Sequence, residues 1–155
     1  EKEITQIKDI LAILSKCKVC RLGLVEGDRP YIIPLNYGFI WENEKLTLLF
    51  HSATEGKKLD IIKANNNACF EIDCDTMLKE GDTACDFAYA YKSVIGFGAI
   101  EYITGLKDKI FSLNTIIQHQ TGKNTFYDFT EEQIKNVCIY KIICTSFTGK
   151  QNCFA

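Results

Sequence analysis

The sequence predicts a mainly β fold with flanking α-helices, in the form of a small six-stranded antiparallel barrel. Six segments have the apolar pattern of strands, and few helical patterns lie between them, which argues against a doubly wound parallel sheet. Hairpins come early in the chain and one strand returns late, as in a small barrel. The chain has 155 residues and no internal repeat or linker, so residues 1–155 are expected to form one domain.

Turn-forming residues bound the predicted strands. The strands are expected at residues 19–26, 31–41, 45–51, 68–74, 87–104 and 137–148. Pro34 interrupts the second strand and marks an edge, a bulge or a ligand-facing break, because proline has no N–H to donate to a neighbouring strand. The fifth segment is long enough to form one bent strand or two, with a kink near Gly96. The polar residues 76–85 are expected to form a loop.

Apolar residues at helical spacing predict the other elements. Helices are expected over residues 3–14, 55–64 and 106–121, with a short helical turn at 131–136. Cys17 and Cys20 form a CxxC pair, but no second pair or nearby histidine completes a set of zinc ligands. A helix end leading into a strand is therefore the expectation at this pair, and no metal site is predicted.

The bulk composition argues against two classes of partner. A formal net charge of -2 provides no general attraction to nucleic acid or to an anionic membrane. No apolar run approaches the roughly 20 residues of a membrane helix, and the first residues lack the apolar core of a secretion signal. Eight cysteines in a chain that needs no disulfide scaffold favour a reducing, cytoplasmic location.

The most informative chemical signal is the segment at residues 50–58, FHSATEGKK. A strand-like run ends in His51, small hydroxyl residues and a glycine follow, and two lysines begin a helix. Helix-start N–H groups, hydroxyls and ammonium groups suit a phosphate dianion. The neighbouring apolar hairpin at 31–50 offers a surface for a flat ring, so flavin mononucleotide (FMN) is the leading candidate ligand. The alternative is that Thr54 caps a surface helix and the lysines are solvated.

Further candidates lie in the preceding strand and within this segment itself. Pro34 would free backbone groups from the sheet, and Asn36 would hydrogen-bond to the polar edge of a ring; the alternative is a simple β-bulge with Asn36 in solvent. His51 would donate a proton or contact the ring, since imidazole changes charge near neutral pH. The alternative for His51 is a structural role. His119, late in a polar helix, is expected to be structural.

A strand with alternating aromatic residues runs from Tyr89 to Val94. One of its faces would present Tyr89, Tyr91 and Ser93, and this face would complete a cofactor pocket of a partner subunit. The alternative is ordinary packing within a sheet. No GxGxxG, Walker or GxSxG motif occurs, so a Rossmann domain, a P-loop NTPase and an α/β-hydrolase are unsupported.

Five ordered segments resemble the pyridoxamine 5′-phosphate oxidase-like, FMN-binding split-barrel superfamily, and within it the nitroimidazole-resistance proteins. The segments are CRLGL at 20–24, PYIIPLNYG at 30–38, FHSA with GKKL at 50–59, YKSVIGFG at 91–98 and TGK at 148–150. Each segment is weak evidence alone, but the ordered set is specific and spans nearly the whole chain.

This resemblance implies a homodimeric, six-stranded split β-barrel with two FMN molecules in grooves at the dimer interface. The phosphate side would be held by His51, Ser52, Ala53, Lys57 and Lys58. The ring would be lined by Pro34, Leu35, Asn36 and Tyr37. The facing subunit would contribute Tyr91 and Ser93, and His51 is the implied catalytic residue. Relatives often have arginine where this chain has Lys57, and lysine supplies charge without a bidentate fork.

The implied activity is that of a flavin-dependent nitroreductase. A small-molecule donor would reduce the flavin, which would pass electrons to an acceptor such as the nitro group of a 5-nitroimidazole. One alternative is a pyridoxamine 5′-phosphate oxidase-like enzyme or another flavin reductase, although the sequence shows no obvious second basic cluster for a second phosphate. The sequence also leaves open a non-enzymatic module that binds FMN, or haem through His51 or His119, and a barrel without a cofactor.

Overall fold

Eight antiparallel strands form one sheet in the computed structural model, which describes residues 2–153. The strands are β1 (Lys2–Ile4), β2 (Val19–Glu26), β3 (Arg29–Asn36), β4 (Gly38–Glu42), β5 (Lys45–Ala53), β6 (Asn67–Lys79), β7 (Ala88–Ile103) and β8 (Val137–Asn152). The helices are α1 (Ile7–Lys16), α2 (Lys57–Ala64), α3 (Leu106–Thr121) and α4 (Glu131–Ile134), with a 3-10 turn at Ala84–Asp86. The strand order is β3-β2-β6-β7-β8-β5-β4, and β1 pairs with the end of β8.

One apolar core fills the concave side of this sheet. Strand alternation turns Leu22, Leu48, Phe50 and Ile142 inward, and all four are fully buried. Helices α1 and α2 close the core with their own apolar faces. Each large side chain buried in this way contributes about 1.5–3 kcal/mol relative to exposure. Among residues 2–153, the hydroxyl of Tyr140 is the one buried side-chain polar atom without a hydrogen-bond partner.

The sequence predicts a six-stranded antiparallel barrel. The observed fold is mainly β and antiparallel as expected, but it has eight strands and its sheet is not closed. Strands β3 and β4 are its two ends, and no pairing joins them within residues 2–153. They separate at Tyr37, whose side chain is 0% exposed and whose hydroxyl donates to the carbonyl of Leu14 at 2.7 Å. The predicted strand at 31–41 is therefore two strands. Pro34 lies in the edge strand β3, where a missing N–H is tolerated.

Several boundaries follow the sequence pattern, and others do not. Strand β2 and helix α3 have the predicted limits, and β7 is a single strand with a register shift between Phe97 and Gly98. The helix predicted from residue 3 begins at Ile7, because residues 2–4 pair with β8 instead. The predicted loop at 76–85 is wrong at its start, since β6 continues to Lys79 and pairs with β7.

Helix α3 lies across the outer face of β4, β5 and β8 and defines the surroundings of the candidate site. Gly38 permits this close approach, because a Cβ at that position would lie 2.9 Å from backbone atoms of Ile116. A second apolar cluster of Leu113, Ile134 and Ile139 joins α3 and α4 to the sheet. The N-terminus of α4 is held by a capping box between Thr130 and Gln133. None of the helices within residues 2–153 combines the length and hydropathy required to traverse a lipid bilayer.

Candidate functional site

The segment from His51 to Lys58 joins the end of β5 to the start of α2. Gly56, with φ of 139°, turns the chain into the helix, and this backbone conformation favours glycine. No side chain caps α2, so the alternative in which Thr54 is its cap is wrong. The N–H groups at the start of a helix have no acceptor within the helix. The N-terminus of α2 can therefore donate to an anion.

His51 lies on the outer face of β5, beside a cavity of about 270 Å³. The other lining residues are mostly apolar and come from α3, α4 and nearby segments, among them Leu113, Ile117 and Phe129. Partial burial lowers the pKa of His51 below its ordinary value of 6.5, and the charge of Lys58 lowers it further. The imidazole is consequently neutral at neutral pH, with one nitrogen as donor and the other as acceptor.

The two adjacent lysines have different surroundings. Lys57 Nζ lies 2.9 Å from Glu26 Oε2 and 5.3 Å from the centre of the Tyr31 ring, so its charge is already partnered. Lys58 is half-buried and makes no ion pair within residues 2–153. Its field acts on His51 and on the thiol of Cys138. Lys58 is therefore the lysine of this pair that is better placed to bind an anion.

Side chains alternate between the two faces of a strand, so the four residues expected to line a ring do not all point the same way. Pro34 and Asn36 are exposed on the outer face of β3. Leu35 packs against the core, and the side chain of Tyr37 is fully buried. Consecutive residues of a strand point to opposite faces, so four in a row cannot all contact one ring with their side chains. Leu35 and Tyr37 could therefore contact a ring only through their backbone atoms, because their side chains belong to the core.

Asn36 is connected to the C-terminal end of α3. Its Nδ2 donates to Gln120 Oε1 at 3.0 Å, and Gln120 Nε2 donates to the carbonyls of Lys18 at 3.0 Å and Tyr37 at 2.9 Å. These hydrogen bonds hold the Asn36 amide at the point where β3 ends and β4 begins. Gly38, two residues further on, pairs with Leu49 of β5. Asn36 therefore lies at the same end of the β4–β5 pairing as His51.

Ser52 and Ala53 follow His51 in β5 and pair with β8. The Ser52 side chain is half-buried, and its hydroxyl donates to the carbonyl of Ala53 at 2.8 Å. The Ser52 oxygen keeps its lone pairs, but its proton is engaged within the protein. Ala53 is exposed and leaves space beside the turn that leads to α2.

Tyr91 and Ser93 lie far from this group in the same chain. Ser93 pairs with Lys150, whereas His51 pairs with Ile139, eleven residues earlier in β8. At about 3.3 Å per residue, the path along β8 between these two points is about 36 Å. Within one chain, the two sets of predicted residues therefore lie near opposite ends of β8.

His119 has a structural environment, as expected. Its Nε2 lies 2.8 Å from the carbonyl oxygen of Cys17, and its ring packs against Tyr37 and Phe39 at centroid distances of 4.7 and 5.5 Å. Burial and the charge of Lys18 lower the pKa of His119, against the opposing effect of the Cys17 carbonyl. One ring nitrogen is thus committed to the junction of α1 and β2.

Because the pKa values of both histidines are lowered, we expect the stability of the protein to depend on pH. Their pKa values are lowered in the folded state and return to about 6.5 in the unfolded state, so the unfolded chain binds more protons just below pH 6.5. We expect urea denaturation to give a smaller free energy of unfolding at pH 5.5 than at pH 7.5. The His119→Asn variant should show a smaller difference between the two pH values. An unchanged difference in this variant would contradict the assignment.

A lysine-lined cavity lies near the candidate site and was missed in the sequence. It has a volume of about 330 Å³, and Lys63, Lys109 and Lys135 reach it from α2, α3 and the end of α4. The sequence shows no obvious second basic cluster, and it is the fold that brings these three lysines together. The three lysines are distant in sequence, and the one local signal was the spacing of Leu59 and Lys63, which places both on one face of a helix.

A larger groove, about 490 Å³, lies elsewhere on the outer face of the sheet. Its charged lining residues have both signs, since Glu101 and Asp108 face Lys45 and Lys141. Lys141 Nζ is already 3.6 Å from Glu101 Oε2. This mixture does not favour a phosphate, and no predicted site residue lines the groove.

Comparisons with known proteins identify the family and the fold. A family model described as pyridoxamine 5′-phosphate oxidase matches residues 6–151. A candidate 5-nitroimidazole antibiotic resistance protein from Bacteroides thetaiotaomicron is 26% identical, with a TM-score of 0.81 over 96% of this chain and 85% of that one. No curated protein matches the sequence.

More distant solved structures share the fold. An FAD- and haem-binding protein from Mycobacterium smegmatis has 15% identity and a TM-score of 0.84, over 98% of this chain and 74% of that one. An FAD-binding protein from Mesorhizobium loti has 17% identity and a TM-score of 0.67, over 98% of both chains. The family match extends over almost all of the sequence, from α1 to the end of β8. The chain therefore belongs to the pyridoxamine 5′-phosphate oxidase family of flavin-binding split-barrel proteins.

Proposed function

We propose that this protein is an FMN-dependent oxidoreductase of the nitroreductase type that acts as a homodimer. One group of neighbouring features supports the proposal: a neutral His51, Lys58 without an ion pair among residues 2–153, and the N-terminus of α2, which no side chain caps, beside an apolar cavity. FMN has a flat ring that suits the apolar cavity, and a phosphate group that suits Lys58 and the N-terminus of α2. The resemblance to the Bacteroides protein supports a nitro compound as electron acceptor.

The predicted site residues differ in how well they are placed to bind FMN. Lys58 and the first N–H groups of α2 would bind the phosphate, with help from the Ser52 hydroxyl once it turns away from Ala53. Lys57 would contribute only after leaving Glu26, so its part is smaller. Asn36 would hydrogen-bond to the polar edge of the ring, in an orientation set by Gln120. Pro34 would contact the ring from the exposed side of β3.

A second copy of the chain would complete this site. Tyr91 and Ser93 lie on the other end of the sheet, so they reach a flavin only as residues of the facing subunit. The face of β7 that carries Ser93 continues to Phe97, which is 53% exposed. Register across β3, β2, β6 and β7 places Phe97 in one row with Cys69, Gly23 and Ile32, and Ile32 is 69% exposed. Exposed apolar side chains in such a row suit a protein interface.

The cofactor would supply the redox chemistry, and the protein would supply protons and exclude water. FMN, when bound, takes electrons from a small donor and passes them to the acceptor. Reduction of a nitro group to an amine consumes six electrons and six protons and releases two molecules of water. His51 would take up a proton from solvent and, as an imidazolium, donate it to the acceptor. Desolvation and the charge of Lys58 lower its pKa, so the imidazolium gives up this proton readily and the ring returns to its neutral form. The apolar cavity beside His51 would exclude water from the ring.

Substitution of His51 tests this role. We expect His51→Ala to retain FMN within a few-fold of the original affinity and to slow reoxidation of the chemically reduced complex by metronidazole by about 100-fold, the usual effect of losing a general acid. The measurement is the recovery of flavin absorbance in an anaerobic stopped-flow instrument. Lys107→Gln, on the exposed face of α3, is the control. Reoxidation of His51→Ala at the original rate would exclude His51 as the proton donor.

The family match supports a second candidate, oxidation of pyridoxamine 5′-phosphate. The same reduced and oxidised complexes distinguish the two reactions, because this substrate reduces the flavin whereas a nitro compound reoxidises it. Haem binding is the weaker alternative. His119 has one nitrogen engaged with Cys17, which leaves His51 as the histidine with an accessible ring.

A further inference from the structure

The lysine-lined cavity between α2, α3 and β8 has the features of a second ligand site. Lys63 makes no ion pair within residues 2–153, and Lys109 Nζ donates only to the backbone carbonyl of Val137, at 3.3 Å. Lys135 is paired with Glu132 at the edge of the cavity. No carboxylate is among the lining residues. Lys63 and Lys109 thus add positive charge to the cavity that no ion pair within residues 2–153 neutralises.

The floor of the cavity is apolar. Leu59, Ile103, Val137 and Ile139 line it, together with Tyr102. Two acidic residues are close enough to matter: Asp60, whose charge raises the pKa of Tyr102, and Glu132, which holds Lys135. Cys138 also lines the cavity, and the charges of Lys58, Lys63 and Lys109 act together on its thiol. Two of the lysines that line the cavity, Lys63 and Lys109, therefore lie near the same side chain.

We propose that this cavity binds a small organic anion, with a compact apolar body against the floor and one carboxylate or phosphate group between Lys63 and Lys109. An ammonium group is a compact point charge that accepts either kind of anion, so the lysines do not require the planar geometry of a carboxylate. The site differs from the proposed flavin site, which lies around His51 and the N-terminus of α2. The two sites adjoin at Thr54, Leu59 and residues 137–139 of β8, which pair with Ala53, Ser52 and His51, but Lys63 and Lys109 line only this cavity.

Titration with benzoate and phenyl phosphate, followed by amide chemical shifts, tests this proposal on the full chain without FMN. We expect both anions to shift the amide signals of Leu59, Lys63 and residues 137–139. Neutral benzamide, which has the same ring, should bind at least tenfold more weakly. Lys63→Gln should lower the affinity for benzoate by about threefold to tenfold, because it removes one partly solvated charge contact.

The control is Lys107→Gln, on the same helix as Lys109 but outside the cavity, and it should leave the affinity unchanged. Lys63 is exposed, so its substitution should not disturb folding, and unchanged amide signals elsewhere would verify this. Equal binding of benzoate and benzamide, or an unaltered affinity in Lys63→Gln, would overturn the proposal. Displacement of benzoate by FMN would also overturn it, since the cavity would then belong to the flavin site. Failure of FMN to bind at all would refute the proposed function and leave this site standing.

Discussion

Lys58→Ala is expected to weaken FMN binding by about 10- to 100-fold, the effect of losing one charge-assisted contact to a phosphate. The expectation rests on the different surroundings of the two lysines. Lys58 is half-buried beside His51 without an ion-pair partner in residues 2–153, whereas Lys57 is held by Glu26. The measurement is a titration of the apoprotein that follows quenching of FMN fluorescence.

Two variants serve as controls for this titration. Lys57→Ala should weaken binding less than Lys58→Ala, because its ammonium group must leave Glu26 before it reaches a phosphate. Lys150→Ala, near the C-terminal end of β8, should also have a smaller effect than Lys58→Ala. Equal affinities for all three variants would contradict the assignment of the phosphate to the N-terminus of α2. Such a result would also remove the main support for FMN.

Phe97→Asp is expected to convert the protein from a dimer to a monomer and to release the flavin at the same time. Phe97 is 53% exposed on the face of β7 that also carries Ser93, and a charge there would be buried against the partner. Loss of a central aromatic contact costs about 2 kcal/mol or more, which is about 30-fold in the dimer dissociation constant. Light scattering combined with flavin absorbance measures both effects in one experiment.

The matched control is Phe111→Asp. Phe111 is 54% exposed and lies on α3, away from the row formed by Phe97 and Ile32. We expect this variant to remain dimeric and to keep its flavin. A monomeric original protein with bound flavin would contradict the homodimer, and so would a Phe97→Asp variant that stays dimeric at micromolar concentration.

The parts of the fold that could be predicted from sequence are those fixed by local pattern. The limits of β2 and α3 follow from the alternation of apolar residues and from a long helical stripe. The division at Tyr37 could not be predicted, because the burial of Tyr37 and its hydrogen bond to Leu14 are contacts between distant segments of the chain. The pairing of residues 2–4 with the end of β8 is likewise a contact between distant segments, and it overrides the helical spacing at Ile4.

The candidate site was predictable where it is continuous in sequence. His51, Lys58 and the start of α2 form one segment, so a short motif was sufficient to find them. The ring-lining set stays a prediction, and within it the side chain of Leu35 packs against the core because of the alternation along β3. Gln120 and Lys109 were missed because their roles arise from the path of α3 across the sheet, and no local pattern in the sequence records that path.

The measurement that tests the central claim most directly is an absorbance spectrum of the freshly purified protein, repeated on the supernatant after heat denaturation. The proposed function predicts two flavin bands in the visible and near-ultraviolet range, with FMN released at about one molecule per chain. A colourless protein that also fails to bind added FMN would contradict the assignment of a flavin oxidoreductase. A sharp Soret band in place of the flavin bands would contradict it as well, and would identify haem as the ligand.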